Sequence, residues 1–425
     1  MRLQYFFSSC LMAFVCSTLQ AQVTVTYLDG HTETFGSKND TRVEIADGQF
    51  QRAKIERVEM GANVKKIGRS AFTGCKNLCH VLMNEGLEEI GYFAFDDCDE
   101  LREIKIPASV TTIGSTDTIQ TEGGSPLYFS KDYLVFSNCD KLTKIEVAPG
   151  NKKYESVDGL LLERNNPLRG GRRLLCCPAG KTGKVVLPQG TTMIQSYAFN
   201  GCFHVKDVEL PPTLLQIQQC AFQQCGITQL HLPASVEYVQ DNPFPYCFNL
   251  AKLTVDPNSE NYCVKDGGLY SKDMRELVTT VKTDSTTFRM APTVEQIYKA
   301  AFFMSLWTEV TISPKVKELP YWSFATMENL HSLVIPEGVE QISDEDFANN
   351  ALERITLPAS LQSIGHKVWD VYNSFTIECK GSTPPHIYDN TLDGWEEVTL
   401  IVPRGSLSTY KSDPNWGKAA KIVEK

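Results

Sequence analysis

A few short motifs in this chain contain residue types that bind phosphate or hold metal ions. Gly180-Lys181-Thr182 matches the end of a phosphate-binding loop, in which backbone N–H groups and a lysine hold the nucleotide. That loop needs another glycine five residues before Gly180, and Leu175 stands there instead. We therefore expect no nucleotide binding from this segment.

Cysteine, histidine and acidic residues hold metal ions only at suitable spacings. Zinc sites favour Cys-x-x-Cys or His-x-x-x-His pairs, and neither occurs: Cys176-Cys177 and Cys75-x-x-x-Cys79 are spaced differently. The acidic clusters at 96–100 and 344–346 lack the loop spacing of a calcium site. No Gly-x-Ser-x-Gly nucleophile motif is present. The sequence predicts no catalytic residue, metal or cofactor, and leaves open only a glycosidase-type pair of carboxylates distant in sequence.

The dominant pattern is apolar and periodic. An Ile, Val or Leu is followed five residues later by Phe or Trp, with a period of 22 or 23 residues where repeats run uninterrupted. The pairs are Ile67/Phe72, Ile90/Phe95, Ile194/Phe199, Ile217/Phe222, Val239/Phe244, Ile297/Phe302, Leu319/Phe324, Ile342/Phe347 and Ile364/Trp369. Such a period predicts a solenoid, in which stacked coils form one elongated domain.

Residues 101–113 show the main part of the repeat unit, which recurs at 227–239 and 352–364. Alternation such as Ile104-Lys105-Ile106 predicts a short strand with one buried face, which a following proline ends. A second extended piece leads to the repeat Ile. A glycine after that Ile, at 68, 91, 114 and 365, suggests a bend that needs a permissive backbone. We expect Ala-Phe-x-x-Cys to turn the corner as a helical turn.

The cysteines follow the repeat. Six of them stand three residues after the repeat aromatic and form one column: Cys75, Cys98, Cys139, Cys202, Cys225 and Cys247. Cysteine packs as a small apolar residue. Side chains stacked in register point parallel, so their Cβ vectors do not converge as a disulfide requires. We predict that this column stays mostly reduced.

The N-terminus has the features of a secretory signal: Arg2, an apolar stretch from Tyr5 to Val15, and a small residue, Ala21, at the cleavage position. Lipid attachment at Cys16 is the weaker alternative. No later stretch is long and apolar enough to span a membrane. Removing residues 1–21 removes Arg2 and no acidic residue, so the net charge of −10 becomes −11. This acidity argues against nucleic-acid binding.

The unit Leu-x-x-Ile-x-Ile-Pro-x-Ser-Val-x-x-Ile-Gly-x-x-Ala-Phe-x-x-Cys closely resembles the BspA-like (Treponema pallidum-type) leucine-rich repeat over about residues 55–374. The fold expected is an α/β solenoid, a β-rich right-handed coil with short parallel strands, inserted β-hairpins and distinct terminal caps. The predicted organisation is a signal peptide (1–21), an N-terminal hairpin cap (22–54), a solenoid (55–374) with insertions at 115–134, 154–193 and 262–296, and a C-terminal cap (375–425).

The resemblance implies a bacterial secreted or cell-surface protein that binds other proteins, often in adhesion to host or neighbouring cells, and no enzyme activity. A surface glycan-binding component is the alternative, which a row of exposed aromatic residues would favour. We expect a monomer. The outward strand positions form neither a basic stripe nor an aromatic row: Glu59, Leu82, Lys105, Glu146, Glu209, His231, Thr254, Thr311, Val334 and Thr356.

Function tends to lie in loops on a rigid scaffold, so the insertions supply the candidate partner-binding residues. Tyr128 and Phe129 lie in the first insertion. Arg169, Arg172 and Arg173 are predicted to form a basic hairpin tip in the second insertion.

Overall fold

The computed structural model describes residues 22–36, 40–114, 134–166, 170–371 and 373–425. They form a β-solenoid of about 16 turns, with parallel strands and almost no helix. Helices in the described ranges are limited to an α-helix, Leu407–Ser412, and the 3-10 segments Trp395–Glu397 and Trp416–Lys418. The expected α/β fold class is therefore not confirmed. No helix in these ranges has the length and apolar character needed to cross a membrane.

One side of each coil contributes a strand to a column that we call the front sheet. Its strands alternate buried and exposed residues, as Glu103–Ile106 does, because one face packs on the core. They are Val23–Tyr27, Thr32–Phe35, Ile55–Met60, His80–Leu82, Glu103–Ile106, Lys144–Val147, Gly183–Val186, Val205–Glu209, Gln229–Leu232, Lys252–Val255, Thr287–Arg289, Glu309–Thr311, Ser332–Val334, Arg354–Leu357, Phe375–Cys379, Val398–Val402 and Lys421–Glu424.

A second column, the side sheet, carries the repeat Ile, Val or Leu of each coil. Its strands are short and mostly parallel to their neighbours. They are Val43–Ile45, Val64–Ile67, Glu89–Ile90, Thr112–Ile113, Arg172–Cys176, Thr191–Ile194, Gln216–Ile217, Tyr238–Val239, Glu276–Thr280, Gln296–Ile297, Glu318–Leu319, Gln341–Ile342 and Ser363–Ile364. A separate parallel pair joins Trp369–Asp370 to Leu392–Asp393.

The third side of each coil, which we call the corner, is not the predicted helical turn. In residues 68–75, the N–H groups of Ser70, Phe72 and Gly74 donate to carbonyls of the next coil at 2.8–3.0 Å. Ser70 and Gly74 have left-handed backbones, with φ of 53° and 73°. Left-handed residues four positions apart direct every second N–H group towards the neighbouring coil, and the N–H groups between them donate within the corner. The corner is thus a third ladder between coils.

The repeat aromatics stack along the core under this ladder. Neighbouring rings such as Phe72 and Phe95 lie 5.3 Å apart and nearly parallel, and both are fully buried. The thiols of Cys75, Cys98 and Cys139 donate to the carbonyl of the aromatic one coil earlier, at 3.0–3.3 Å. The cysteine column therefore has a hydrogen-bonding role as well as a packing role.

The glycines after the repeat Ile have a different role from the one predicted. The backbones of Gly68 and Gly91 do not have a positive φ, whereas Gly114 has a φ of 83°. A Cβ on Gly91 would lie 2.7 Å from Arg69 N of the previous coil. Close approach of two backbones, rather than an unusual φ, therefore requires glycine at 68 and 91.

The two later insertions contain the predicted β-hairpins. Tyr154–Val157 pairs antiparallel with Leu160–Glu163, and Tyr262–Lys265 pairs in the same way with Gly268–Ser271. A third antiparallel strand in each, Arg172–Cys176 or Glu276–Thr280, then joins the side sheet in parallel. Each insertion thus returns the chain to the coil.

The first tyrosine of each insertion fills a gap in the side sheet. Its hydroxyl accepts the N–H of the repeat residue one coil earlier: Ile113 N lies 3.0 Å from Tyr154 Oη, and Val239 N lies 2.9 Å from Tyr262 Oη. A strand would otherwise accept these buried N–H groups. The hydroxyls therefore allow the sheet to be interrupted without an unpaired donor.

At the ends, the front sheet extends beyond the recognisable repeats. Val23–Tyr27 and Thr32–Phe35 form an antiparallel hairpin, and Val23–Tyr27 also pairs with Ile55–Met60. At the other end, Phe375–Cys379, Val398–Val402 and Lys421–Glu424 continue the parallel ladder. No break in the sheet coincides with residue 375.

Replacing Tyr262 with Phe tests the hydroxyl contact. The variant leaves the buried Val239 N–H without an acceptor, so we expect the free energy of unfolding to fall by about 1–3 kcal/mol. Urea unfolding followed by circular dichroism measures this loss. Tyr238→Phe is the control, because Tyr238 is 43% exposed and should tolerate the change. Equal stability of both variants would contradict the assigned role.

Thiol titration tests the cysteine column. In denaturant without reductant, residues 22–425 should release about twelve thiols, the number of unpaired cysteines described. In the folded protein Cys79 should react fastest, since it is the one exposed cysteine among the described residues and the others are buried or half-buried. A count near zero in denaturant would show that the column is oxidised.

Candidate functional site

The residues of the phosphate-like motif, Gly180 and Lys181, make structural contacts within the solenoid. Gly180 N donates to Leu142 O at 2.8 Å and closes a corner, while Lys181 Nζ pairs with Asp158 Oδ2 at 3.1 Å. Cys177 is buried. Among the described residues, no three or more His, Cys, Asp or Glu side chains are grouped to hold a metal ion.

The predicted partner-binding residues are placed only in part. Tyr128, Phe129 and Arg169 lie outside the described residues. Arg172 and Arg173 belong to a side-sheet strand rather than to a hairpin tip.

Both arginines pair with glutamates of their own insertion. Arg172 Nε lies 2.7 Å from Glu155 Oε1. Arg173 pairs with Glu163 at 2.5 Å, and its side chain is only 11% exposed. The expected basic tip at these two positions is corrected, because their charges are neutralised inside the insertion.

An open depression on the surface contains carboxylates that are engaged in contacts with neighbouring side chains. It has a volume of about 740 Å³ and lies beside the second hairpin. Glu276 accepts the hydroxyl of Tyr298 at 2.9 Å, and burial together with this bond raises the pKa of Tyr298. Arg275 lies within 4.0 Å of both Asp273 and Glu295. These contacts engage Asp273, Glu276 and Glu295 and stabilise the surface.

The outward face of the front sheet changes character along the solenoid. In the N-terminal half its charges pair within the face, as Arg57 does with Glu59 at 2.5 Å and Lys184 with Glu209 at 2.6 Å. Val186, 51% exposed, adds an apolar side chain to this face. The repeat pattern does not predict Val186 on this face, because its strand falls within the insertion expected at 154–193. The alternation along this strand, with Lys184 exposed, Val185 buried and Val186 exposed, could have revealed it.

The C-terminal half of this face contains an uncharged area that we call the neutral patch. Val334 is 64% exposed at its centre and is paired in register with Thr356. The patch consists of Thr311, Ser332, Val334 and Thr356, of which Thr356 is only 8% exposed, and Arg354 lies in register with Ser332 at its edge.

An ion cluster borders the neutral patch. Glu378 accepts from Lys380 at 2.8 Å, Lys425 at 3.1 Å and Arg354 at 2.5 Å, and these bonds lower its pKa to about 2. This cluster fixes one edge of the patch.

One corner contains a buried carboxyl where other coils have alanine. Ser323 Oγ lies 2.5 Å from Asp346 Oδ1 and 2.7 Å from Pro320 O. Burial raises the pKa of Asp346 to about 8. A serine hydroxyl has one proton, so a neutral Asp346 that donates to Ser323, while Ser323 donates to Pro320, satisfies both contacts. Asp346 is therefore a structural group that favours its protonated form.

This assignment predicts a pH dependence. The folded-state pKa of Asp346 is about 8, above its usual value of 3.8, so its contribution to stability is lost as pH rises between those values. From about pH 4 to pH 8, the wild type should lose on the order of a few kcal/mol relative to Asp346→Asn. Urea unfolding at several pH values measures the difference. The exposed-site control Asp389→Asn should follow the wild type, and parallel curves for all three proteins would disprove the effect.

Strands, corners and aromatic stacks together define a leucine-rich-repeat β-solenoid. The model of the BspA type leucine rich repeat region matches residues 41–117, 178–285 and 280–376, with six copies. The chain belongs to this BspA type leucine-rich-repeat family.

Solved structures with similar folds come from several bacteria. A leucine rich cell surface protein from Faecalibacterium prausnitzii A2-165 is 22% identical, with 81% of this chain and 89% of that chain covered and a TM-score of 0.43. The pneumococcal vaccine antigen PcpA is 18% identical, with 92% and 86% covered and a TM-score of 0.43. A leucine-rich repeat protein from Eubacterium ventriosum ATCC 27560 is 16% identical, with 96% and 84% covered and a TM-score of 0.39. No curated protein matches the chain.

Proposed function

We propose that this protein is a non-catalytic, monomeric, secreted or cell-surface component that binds another protein in adhesion to host or neighbouring cells. The neutral patch is the observation that carries the proposal. Family membership and the signal-like N-terminus support the location. The ion-paired carboxylates of the open depression support a binding role rather than a catalytic one.

The chemistry of the neutral patch favours a protein ligand. Threonine and valine on a strand lose little side-chain freedom when they are covered, because β-branched side chains are already restricted. The sheet holds them on a fixed backbone, which lowers the entropic cost of association. The patch contains no aromatic side chain on which a sugar ring could stack, so it gives no support to the glycan alternative.

Charge insertion into the neutral patch tests the proposal. Immobilised residues 22–425 would be used to capture proteins from host mucosal extract and from bacterial envelope extract, with identification by mass spectrometry. We expect a saturable protein partner whose binding weakens about tenfold or more in Val334→Glu, because a partner would have to desolvate the new carboxylate.

Leu82→Glu is the matched control, since Leu82 is also exposed on the front sheet but lies in its charged half. It should bind like the wild type. Recovery of glycans alone would favour the glycan-binding alternative. Equal binding by Val334→Glu and the wild type would remove the patch from the interface.

A further inference from the structure

The corner position four residues after the repeat aromatic is charged in the early coils and holds a large apolar residue in three of the central coils. In early coils it holds residues such as Lys76 and Asp99, which pair with each other at 3.2 Å. In central coils it holds Phe203, Phe248 and Leu306, which are 48%, 47% and 40% exposed. Large apolar side chains at equivalent positions of one edge indicate an interaction surface rather than scattered surface residues.

The two hairpin insertions close the corner ladder differently. After the first, Gly180 N donates to Leu142 O of the preceding coil at 2.8 Å. After the second, no backbone bond to the equivalent Leu250 O is present among the described residues. A void of about 40 Å³ remains there. We call this void and its lining residues Tyr246, Phe248, Lys282, Phe303, Ser305 and Leu306 the corner notch.

Aromatic rings form the walls of the corner notch. Tyr246 lies edge-on to both Phe248 and Phe303, with ring centroids 6.2 and 5.8 Å apart. On its other side Phe303 stacks on Trp322 at 5.2 Å. These contacts hold the walls open, so a ligand would enter a preformed site. A void of about 40 Å³ has room for roughly three water-sized groups, the size of a branched side-chain end.

Two polar groups of the corner notch have no partner in the described part of the chain. Ser305 Oγ is buried without a hydrogen bond. Lys282 is exposed, and no carboxylate described lies within ion-pair distance of its Nζ. At the first insertion, by comparison, Lys181 follows Gly180 and pairs with Asp158 at 3.1 Å. The second insertion thus presents an exposed lysine beside a small void that the half-exposed Phe248 and Leu306 flank.

We propose that the corner notch binds a protein segment that presents a branched apolar side chain next to a carboxylate. The apolar side chain fills the void against Phe248 and Leu306, and the carboxylate pairs with Lys282. This surface lies on a different side of the coil from the neutral patch, so the inference goes beyond the proposed function and specifies the chemistry of a second contact.

A random heptapeptide phage library selected on immobilised residues 22–425 tests the proposal. We expect enrichment of peptides in which Leu, Ile or Val adjoins Asp or Glu. A synthetic peptide of the enriched sequence should bind about tenfold or more weakly to Phe248→Ser and to Lys282→Glu, as residues central to an interface do. Val334→Ser, which alters an exposed apolar side chain elsewhere, should bind the peptide as the wild type does.

The remaining outcomes overturn the inference. No enrichment, enrichment of basic or purely polar peptides, or equal binding by Phe248→Ser, Lys282→Glu and the wild type would each do so. Thermal melting of the variants separates lost binding from lost folding. A wild-type dimer in light scattering that Phe248→Ser dissociates would assign the corner notch to a second copy instead. Capture of a partner through the neutral patch is measured separately, so either proposal can fail alone.

Discussion

Every coil of this solenoid must satisfy its backbone hydrogen bonds with the coils on either side. Two sides do so as parallel strands, and the corner does so through every second N–H group, with left-handed residues such as Ser70 and Gly74 four positions apart. A coil on its own could not offset the conformational entropy of its residues, so stability lies in these contacts and in the stacked core. The apolar stacks follow from the same constraint, because register between backbones aligns equivalent side chains.

This constraint explains why insertions need special residues at their boundaries. An insertion takes away the strand that would accept a neighbour's N–H group, and Tyr154 and Tyr262 replace that acceptor with a hydroxyl. The corner beside the first insertion closes through Gly180, where a Cβ would lie 2.8 Å from Leu142 O. Lys282 occupies the corresponding region of the second insertion, and the void stays open. Sites for ligands can therefore arise where the ladder is interrupted.

Periodicity predicted the elements that repeat. Alternation located strands such as Glu103–Ile106, and the insertions at 154–193 and 262–296 contain the expected hairpins. The corner differed from the predicted helical turn because its conformation is set by hydrogen bonds to other coils, which local sequence does not reveal. Arg172 and Arg173 illustrate the same difficulty: a cluster of like charges suggested a tip, but their glutamate partners lie on neighbouring strands of the insertion.

Departures from the repeat pattern carry the remaining information. The stacking of a consensus residue such as Phe72 explains why it is present, so the residue gives no information about ligands. Asp346, by contrast, replaces alanine and remains because Ser323 accommodates a neutral carboxyl. The coil uses Phe248 and Lys282 only in part: Phe248 packs edge-on to Tyr246 yet is 47% exposed, and Lys282 has no carboxylate within ion-pair distance among the described residues. Groups that the scaffold does not need are the ones that a partner can use.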